Sequence, residues 1–196
     1  MKEKFTELLL STGRIGMDTV IKNLEKLGFF EAPASTKFHL SMPGGLCIHS
    51  VEVCETALKL RETLLATNPS LEEQLMKDSV IIAALLHDVC KAEIYKPCFR
   101  NVKNDTTGVW ERVPSYEADY SFFPMGHGEK SVIRLLAWGI RLTSSEMLAI
   151  RWHMGAWDLS DGYEAKGNIS AAADKCPMVT LLQCADLISS HILEKE

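Results

Sequence analysis

The segment with the clearest chemical content is IIAALLHDVCKAE, Ile81 to Glu93, an apolar run that ends in a histidine, an aspartate and a lysine. His87 and Asp88 close the run, and Lys91 follows about one helical turn later. A carboxylate at the end of a buried helix is costly unless it is hydrogen-bonded, paired with a charge or bound to a metal ion. The sequence therefore predicts that another part of the chain supplies a partner for Asp88.

Two further polar residues lie on stripes that are predicted to face the interior. His49 follows Leu46 by three residues and precedes Val53 by four, which places it on the inward side of a helix. Asp186 follows Leu182 by four residues, again near an apolar face. Each of them, taken alone, is more simply a hydrogen-bonded core residue. Together with the His–Asp pair above they indicate a divalent cation, which would bind imidazoles and carboxylates and offset the burial of both aspartates.

Two of the remaining histidines are candidates for the same site. His127 stands between glycines at a predicted helix start, from which its side chain can reach into a cleft, and His153 ends a helix four residues after Ala149. The simpler interpretations are a surface histidine near a cap and a helix C-terminal residue that the dipole favours. His39 and His191 have no comparable setting, and we do not predict that they belong to the site.

The composition limits the class of protein. Of the 196 residues, 46% are hydrophobic and 24% are charged, as in an ordinary globular protein, and we predict a single domain over residues 1–196. The net charge of -5 argues against a broad basic surface for duplex nucleic acid. Self-association into a homo-oligomer stays open.

The sequence carries no mark of export or of membrane insertion. Its start, MKEKFTELLLSTG, mixes acidic and basic residues without a long apolar core, and no run approaches the roughly 18 apolar residues of a membrane span. The six cysteines form no Cys-x-x-Cys pair and lie mostly in apolar runs, which is typical of reduced thiols. We therefore predict a cytoplasmic protein without a membrane partner.

The apolar periodicity predicts an all-α fold, a helical bundle with one small β-hairpin insertion. Ser70 is a predicted N-cap, and Thr143 with Glu146 has the spacing of a capping box. The hairpin is predicted at about residues 94–125, where two β-prone runs flank an Asn-Asp-Thr-Thr-Gly turn. The predicted helices cover residues 3–11, 15–27, 44–66, 71–92, 127–140, 143–154 and 177–194.

The order of the polar residues resembles the HD superfamily of metal-dependent phosphohydrolases. The resemblance rests on the His87–Asp88 dipeptide at the end of an apolar helix, with His49 about one helix upstream and Asp186 on a late helix. It covers the chain roughly from Leu46 to the C-terminus. The two middle histidines resemble those of the subset that carries two metal ions.

This resemblance implies an HD-domain helical bundle and the metal-dependent hydrolysis of a phosphomonoester or phosphodiester. Nitrogen and oxygen ligands without thiolate suit iron, manganese, cobalt or nickel at least as well as zinc. Two such ions can clamp a phosphoryl group and generate a nucleophile from water at neutral pH. The implied ligands are His49, His87, Asp88 and Asp186 for the first ion, with Asp88 bridging to a second ion that His127 and His153 hold.

Lys91 has a functional and a structural interpretation. If the helix continues past Asp88, Lys91 lies four residues after His87 and projects to the same side. An ammonium group there can bind a substrate phosphate and stabilise charge in the transition state, and the His–Asp–x–x–Lys pattern recurs in the superfamily. The alternative is a lysine that offsets the helix dipole. We predict Asp88 and Lys91 as the catalytic residues.

The resemblance does not identify the substrate. The acidic pair of the stringent-response nucleotide hydrolases and the Gly-Tyr-Pro signature of the cyclic-di-GMP phosphodiesterases are both missing here. The hairpin combines basic and aromatic residues, so Arg100 is a candidate for phosphate binding and the substrate is predicted to be a small phosphorylated molecule such as a nucleotide. The same mixture also suits a ribbon that covers a helical core, and we favour that role over a substrate lid.

Two other functions stay open from the sequence. Di-iron oxygenases of this fold, such as myo-inositol oxygenase, resemble the same set of four histidines and two aspartates. A binding module that keeps the metal only for structure is the second alternative, although it has no need of a phosphate-binding lysine. Measuring oxygen consumption and metal-dependent phosphate release would distinguish an oxygenase from a phosphohydrolase.

Overall fold

A computed structural model describes residues 1–121, 123–155 and 163–195, the side chains of 163–165 excepted. The described residues form a mostly α-helical fold with a small two-stranded antiparallel sheet, which confirms the prediction at this level. The helices are α1 Lys2–Ser11, α2 Met17–Leu27, α3 Gly45–Thr67, α4 Lys77–Leu86, α5 Lys91–Ile94, α6 His127–Ala137, α7 Ser144–Trp152, α8 Tyr163–Lys175 and α9 Pro177–Ile188, and the strands are β1 Tyr95–Lys103 and β2 Trp110–Ala118.

Helix α4 lies at the centre of the fold. Every residue from Ser79 to Leu86 is buried, as expected for a helix that is apolar on all sides. Helix α3 packs against α4 and α9, and α7 packs against α4, α6 and α9. The polar residues that directly follow α4 therefore enter the interior of the protein, where α3, α7 and α9 also meet.

The predicted start of the 71–92 helix is wrong. Pro69–Leu71 forms a short 3-10 turn, and Asn68 rather than Ser70 provides the cap, because Asn68 Oδ1 accepts a hydrogen bond from the Ser70 amide at 3.3 Å. Buried Arg61 donates from Nε to the carbonyl of Leu75 at 2.5 Å. This contact occupies a carbonyl in the turn before Lys77, where α4 begins.

The predicted end of that helix is also wrong, and the difference shapes the site. Helix α4 stops at Leu86, residues 87–90 form a turn, and α5 begins at Lys91. The amide of Cys90 donates to Ser131 Oγ of α6 at 3.3 Å instead of to a carbonyl in the preceding helical turn. A tertiary hydrogen bond therefore replaces a helical one where the His–Asp pair lies.

Other predicted boundaries are closer to the structure. The capping box is confirmed, since Thr143 Oγ1 accepts from the Glu146 amide at 3.1 Å and Glu146 Oε2 accepts from the Thr143 amide at 2.8 Å. The 177–194 helix is divided into α9 and a π-helical turn, Ser189–Leu193. Helix α8 was not predicted because its sequence, YEAKGNISAAADK, has no stripe of large apolar residues.

The hairpin is present, but it does not cover the helical core. Strands β1 and β2 pair in register from Tyr95 opposite Ala118 to Lys103 opposite Trp110. Most of their residues are exposed, and the side chain of Trp110 is 67% exposed. The favoured covering role is therefore wrong.

The structure bears on two expectations from the sequence, the reduced cysteines and the missing membrane span. All six cysteines are free, and Cys47, Cys54, Cys90 and Cys176 are buried. Among the described residues no single helix has the length and hydropathy of a membrane span; Lys166–Lys175 and Pro177–Leu193 meet the criterion only as a pair that is bent by 106°.

Candidate metal centre and adjoining cavity

Three buried imidazoles meet where the central helices converge. His49 comes from α3, His87 from the end of α4 and His153 from the end of α7. The ring centres of His49 and His87 are 5.3 Å apart, and those of His87 and His153 are 4.7 Å apart. The structure thus brings together three histidines that lie far apart in the sequence.

The outer nitrogen of each ring has a partner that fixes the ring. His87 and His153 each donate from Nδ1 to the carbonyl oxygen three residues earlier, at 2.8 and 2.7 Å, which are among the carbonyls that a helix end leaves free. His49 Nδ1 donates to the carboxylate of Glu194, 3.0 Å from each oxygen. Because Nδ1 is engaged as a donor, each Nε2 faces the space between the rings and is the ring atom that could bind a cation once any proton on it is displaced.

Two carboxylates complete the cluster. Asp88 Oδ2 lies 3.2 Å from His87 Nε2 and 3.7 Å from His49 Nε2, and Asp88 Oδ1 lies 3.4 Å from His153 Nε2. Asp186 of α9 places Oδ1 3.3 Å from His49 Nε2. Five of the six predicted ligands are therefore neighbours in the structure.

The donor atoms of the cluster fit a cation. The three Nε2 atoms and Asp88 Oδ1 are buried without a hydrogen-bond partner, whereas Asp88 Oδ2 faces Lys91. Such atoms are costly to bury, whereas a cation would satisfy all of them. Among the described residues, three overlapping groups have ligand atoms within 4.8 Å of one another. Two of them lie in this cluster and consist of His49, His87 and Asp88 and of His87, His153 and Asp186.

The electrostatics of the cation-free cluster favour ionised carboxylates. Burial raises the pKa of Asp88, but Lys91 and His87 outweigh it and hold that pKa well below its usual value. Burial likewise raises the pKa of Asp186, and His49 more than reverses the shift. Burial lowers the pKa of His49, yet Asp186 and Glu194 together raise it to about 9. In the cation-free cluster, ionised carboxylates therefore face a His49 ring that favours its protonated form.

Lys91 is a partner of Asp88 that the sequence did not assign to that role. Its Nζ lies 2.5 Å from Asp88 Oδ2, and the residue is 7% exposed. Burial lowers the pKa of Lys91, but the Asp88 carboxylate reverses this and raises the pKa above its usual value. The ammonium group of Lys91 therefore offsets part of the cost of burying Asp88.

His127 is not brought into this cluster. It is the first residue of α6, and its Nδ1 lies 3.8 Å from Cys90 Sγ. The next residue, Gly128, allows α6 to touch α7, because a Cβ there would lie 2.2 Å from the carbonyl oxygen of Arg151. None of the metal-capable groups among the described residues includes His127, so its role as a ligand of a second ion stays a prediction.

A cavity of about 930 Å³ adjoins the cluster. Its lining includes His153 and Asp186 from the cluster, together with Lys91 and Arg100, the two residues predicted to bind substrate. The hairpin contributes Arg100, Pro114 and Ser115 to the wall, so it borders the cavity rather than the core. Space for a ligand and candidate metal ligands are therefore contiguous.

Sequence reasoning missed two residues beside the cluster. His39 was left out, yet its ring centre lies 5.0 Å from that of His49, and it lines the cavity, as does His191. Glu194 was not considered, although it fixes His49 and forms with His39 and His49 a third metal-capable group. Neither His39 nor Glu194 stands on a periodic apolar stripe, so no signal in the sequence could have found them.

Comparison with known proteins gives one partial match. Residues 22–96, less than half of the chain, match the family TraI_2, which is described as "Putative helicase". The matched part includes His49 and the segment from His87 to Lys91, and it ends before the other candidate ligands. No curated protein and no solved structure matches the chain.

Proposed function

We propose that this protein is a metal-dependent phosphohydrolase of the HD type, which cleaves a phosphomonoester or phosphodiester of a nucleotide or a similar small molecule. The observation that carries the proposal is the convergence of three unpartnered Nε2 atoms on two carboxylates beside a cavity that Lys91 and Arg100 also line. Imidazoles and carboxylates hold the metal, and the two cationic side chains suit a phosphate. Candidate metal ligands and cationic side chains beside the same cavity favour phosphoryl chemistry over a purely structural role for the metal.

Each residue has a defined part in this proposal. A transition-metal cation in the cluster would supply Lewis acidity and would lower the pKa of a bound water. The Nδ1 partners keep the three rings in the orientation that presents Nε2. Lys91 and Arg100 attract the phosphate and stabilise the charge that develops on its oxygens. Lys91 is buried, so the low local dielectric would strengthen its interaction with a phosphate, whereas Arg100 is exposed.

Occupancy by two ions is part of the proposal. Asp88 Oδ2 faces His49 and His87, and Asp88 Oδ1 faces His153. Each oxygen of this carboxylate could therefore contribute to a different metal ion. We expect His127→Ala to lower the metal content from two ions to one per chain without loss of helical circular dichroism. If elemental analysis finds the same content as in the wild type, His127 is not a ligand.

The name of the matched family supports a nucleotide-containing substrate. A helicase acts on nucleic acid, and the phosphodiester is the bond that links nucleotides. The 196 residues contain no Gly-x-x-x-x-Gly-Lys-Ser/Thr phosphate-binding loop, so we assign no nucleotide-driven motor to them. Hydrolysis of a nucleotide ester is consistent with both the name and the cluster.

The test combines metal analysis with hydrolysis of two simple esters. Protein prepared without chelator should contain a transition metal and should cleave p-nitrophenyl phosphate or bis-p-nitrophenyl phosphate when iron, manganese, cobalt, nickel or zinc is added. Asp88→Ala should abolish both metal binding and activity, whereas Asp174→Ala, the same change at an exposed position of α8, should preserve both. Folded protein that binds no metal, or that consumes oxygen without releasing phosphate, would contradict the proposal.

A further inference from the structure

The segment Ser35–Met42, here called the His39 loop, borders the cavity and is stabilised by several hydrogen bonds. Ser35 is buried, and its Oγ donates to the carbonyl oxygen of His39 at 2.7 Å. Ser35 Oγ also accepts a hydrogen bond from the amide of Phe38 at 2.9 Å. The carbonyl of Leu40 accepts from the Ala34 amide at 3.1 Å. The loop is therefore preorganised by its own hydrogen bonds.

The backbone of the His39 loop also contains a strained residue. Leu40 has a φ of 44°, in the left-handed region that non-glycine residues seldom adopt. Its carbonyl oxygen packs against Gly45, where a Cβ would lie only 2.1 Å away. The start of α3 thus fixes the strained turn, and strain of this kind is concentrated at ligand sites in proteins.

The fixed loop presents three different side chains to the cavity. Phe38 is 74% exposed, and Lys37 Nζ lies 5.5 Å from the centre of its ring. His39 Nε2, in contrast, is buried without a hydrogen-bond partner, 4.0 Å from the nearest oxygen of Glu194. All three loop residues line the cavity that reaches the ligand cluster. An exposed aromatic face, a cation and an unsatisfied polar atom therefore lie along one wall.

We propose that the His39 loop binds the nucleoside part of a nucleotide substrate, with the base stacked on Phe38 and a phosphate or ribose oxygen hydrogen-bonded to His39 Nε2. This inference rests on the proposed function and specifies its substrate. A phosphate alone needs far less than about 930 Å³, and every base offers a flat face to an aromatic ring. Lys37 adds a charge for a phosphate near the ring, and Arg100 adds another from the hairpin.

The same recognition chemistry fits a free nucleotide and the terminal nucleotide of a single strand. The test therefore measures binding without turnover, using metal-loaded protein and phosphonate analogues whose P–C bond resists hydrolysis. The probes are the phosphonate analogue of AMP, the corresponding ribose 5-phosphonate without a base, and a single-stranded tetranucleotide with the same terminal group. Tighter binding of the tetranucleotide assigns the site to strand ends, and equal binding assigns it to a single nucleotide.

Two phenylalanines give a matched pair of variants. We expect Phe38→Ala to weaken binding of the AMP analogue by about tenfold to a hundredfold and to leave the ribose analogue unchanged, because only the stacking contact is lost. Phe99→Ala removes a ring that is 60% exposed on β1 and outside the cavity lining, and it should change neither affinity. Equal losses for both analogues, or no loss in Phe38→Ala, would overturn the inference.

His39→Ala separates substrate binding from metal binding. We expect weaker binding of both analogues and an unchanged metal content, whereas loss of metal would make His39 a ligand and contradict the inference. Binding and hydrolysis are measured separately, so failure of this inference can be distinguished from failure of the proposed function. Base-selective binding by a protein that hydrolyses no ester would refute hydrolysis only, and hydrolysis without any preference for a base would refute the nucleoside site only.

Discussion

The carboxylate of Glu194 contacts His49 at Nδ1, on the side of the ring opposite Nε2, and the change Glu194→Gln isolates its contribution to metal binding. Both oxygens lie 3.0 Å from His49 Nδ1, and the Glu194 side chain is only 4% exposed. Glutamine preserves the size of the side chain and one acceptor oxygen but removes the negative charge. Loss of an outer-shell partner of this kind lowers metal affinity by about 10-fold to 100-fold. This corresponds to about 1.4–2.7 kcal/mol of binding free energy.

The loss of affinity should depend on pH. Asp186 and Glu194 raise the pKa of His49 to about 9 in the cation-free protein, against the effect of burial, so below that pH a metal ion must displace a proton. Glu194 stabilises the proton as well as the metal, and its removal therefore weakens the competitor too. The affinity ratio between wild type and Glu194→Gln should be largest above about pH 9 and smaller at lower pH.

The assay is a titration of the metal against a chelator of known affinity, at one pH on each side of about 9. Glu62→Gln is the matched control, because Glu62 is an exposed residue of α3, the helix that carries His49. Circular dichroism and urea unfolding should show that both variants are folded. Wild-type affinity for the metal in folded Glu194→Gln at both pH values would refute the role of this carboxylate.

Three further outcomes follow from the structure. Lys91→Ala should keep its metal yet lose on the order of a hundredfold in the rate of phosphate release, because a charge-assisted contact with the phosphate is lost; full activity would mean that the lysine only neutralises Asp88. Gly128→Ala should lower the free energy of unfolding by about 1–3 kcal/mol in urea, since its Cβ would meet the Arg151 carbonyl, whereas Gly167→Ala on α8 meets nothing and should be neutral or stabilising. The pKa of Asp88 is held below its usual 3.8. The Asp88 carboxylate therefore stabilises the metal-free protein fully above about pH 3.8, and this stabilisation is lost as the pH falls further. An acid-unfolding curve that Asp88→Asn leaves unchanged would contradict this.

The sequence by itself determined the central part of the site. An uninterrupted apolar run can be satisfied only in the interior, so the burial of α4, and with it that of His87 and Asp88, follows from composition. Helical spacing placed His49 and Asp186 on inward faces in the same way. The Thr143 capping box was also legible, because all of its hydrogen bonds lie within one helical turn.

The tertiary structure alone decided where the helix around the site breaks. Local propensity favours continuation from Leu86 to Lys91, but the Cys90 amide bonds to Ser131, 41 residues away. The hairpin is a second example. Its two β-prone runs around a turn predict strands correctly but not what the strands face, and in the structure Arg100 lines the cavity instead of the ribbon covering the core.

The residues around the cluster show most clearly which contacts the sequence could not predict. Glu194 reaches His49 across 145 positions, by way of a π-helical turn that no periodic pattern encodes. His39 reaches the cavity from a loop whose shape depends on a strained Leu40 fixed by Gly45. Periodicity reports which side of an element faces inward, whereas these contacts depend on the distances between elements. Those distances are set only when the whole core packs, so most of the candidate ligands could be found in the sequence, whereas Glu194 and His39 could not.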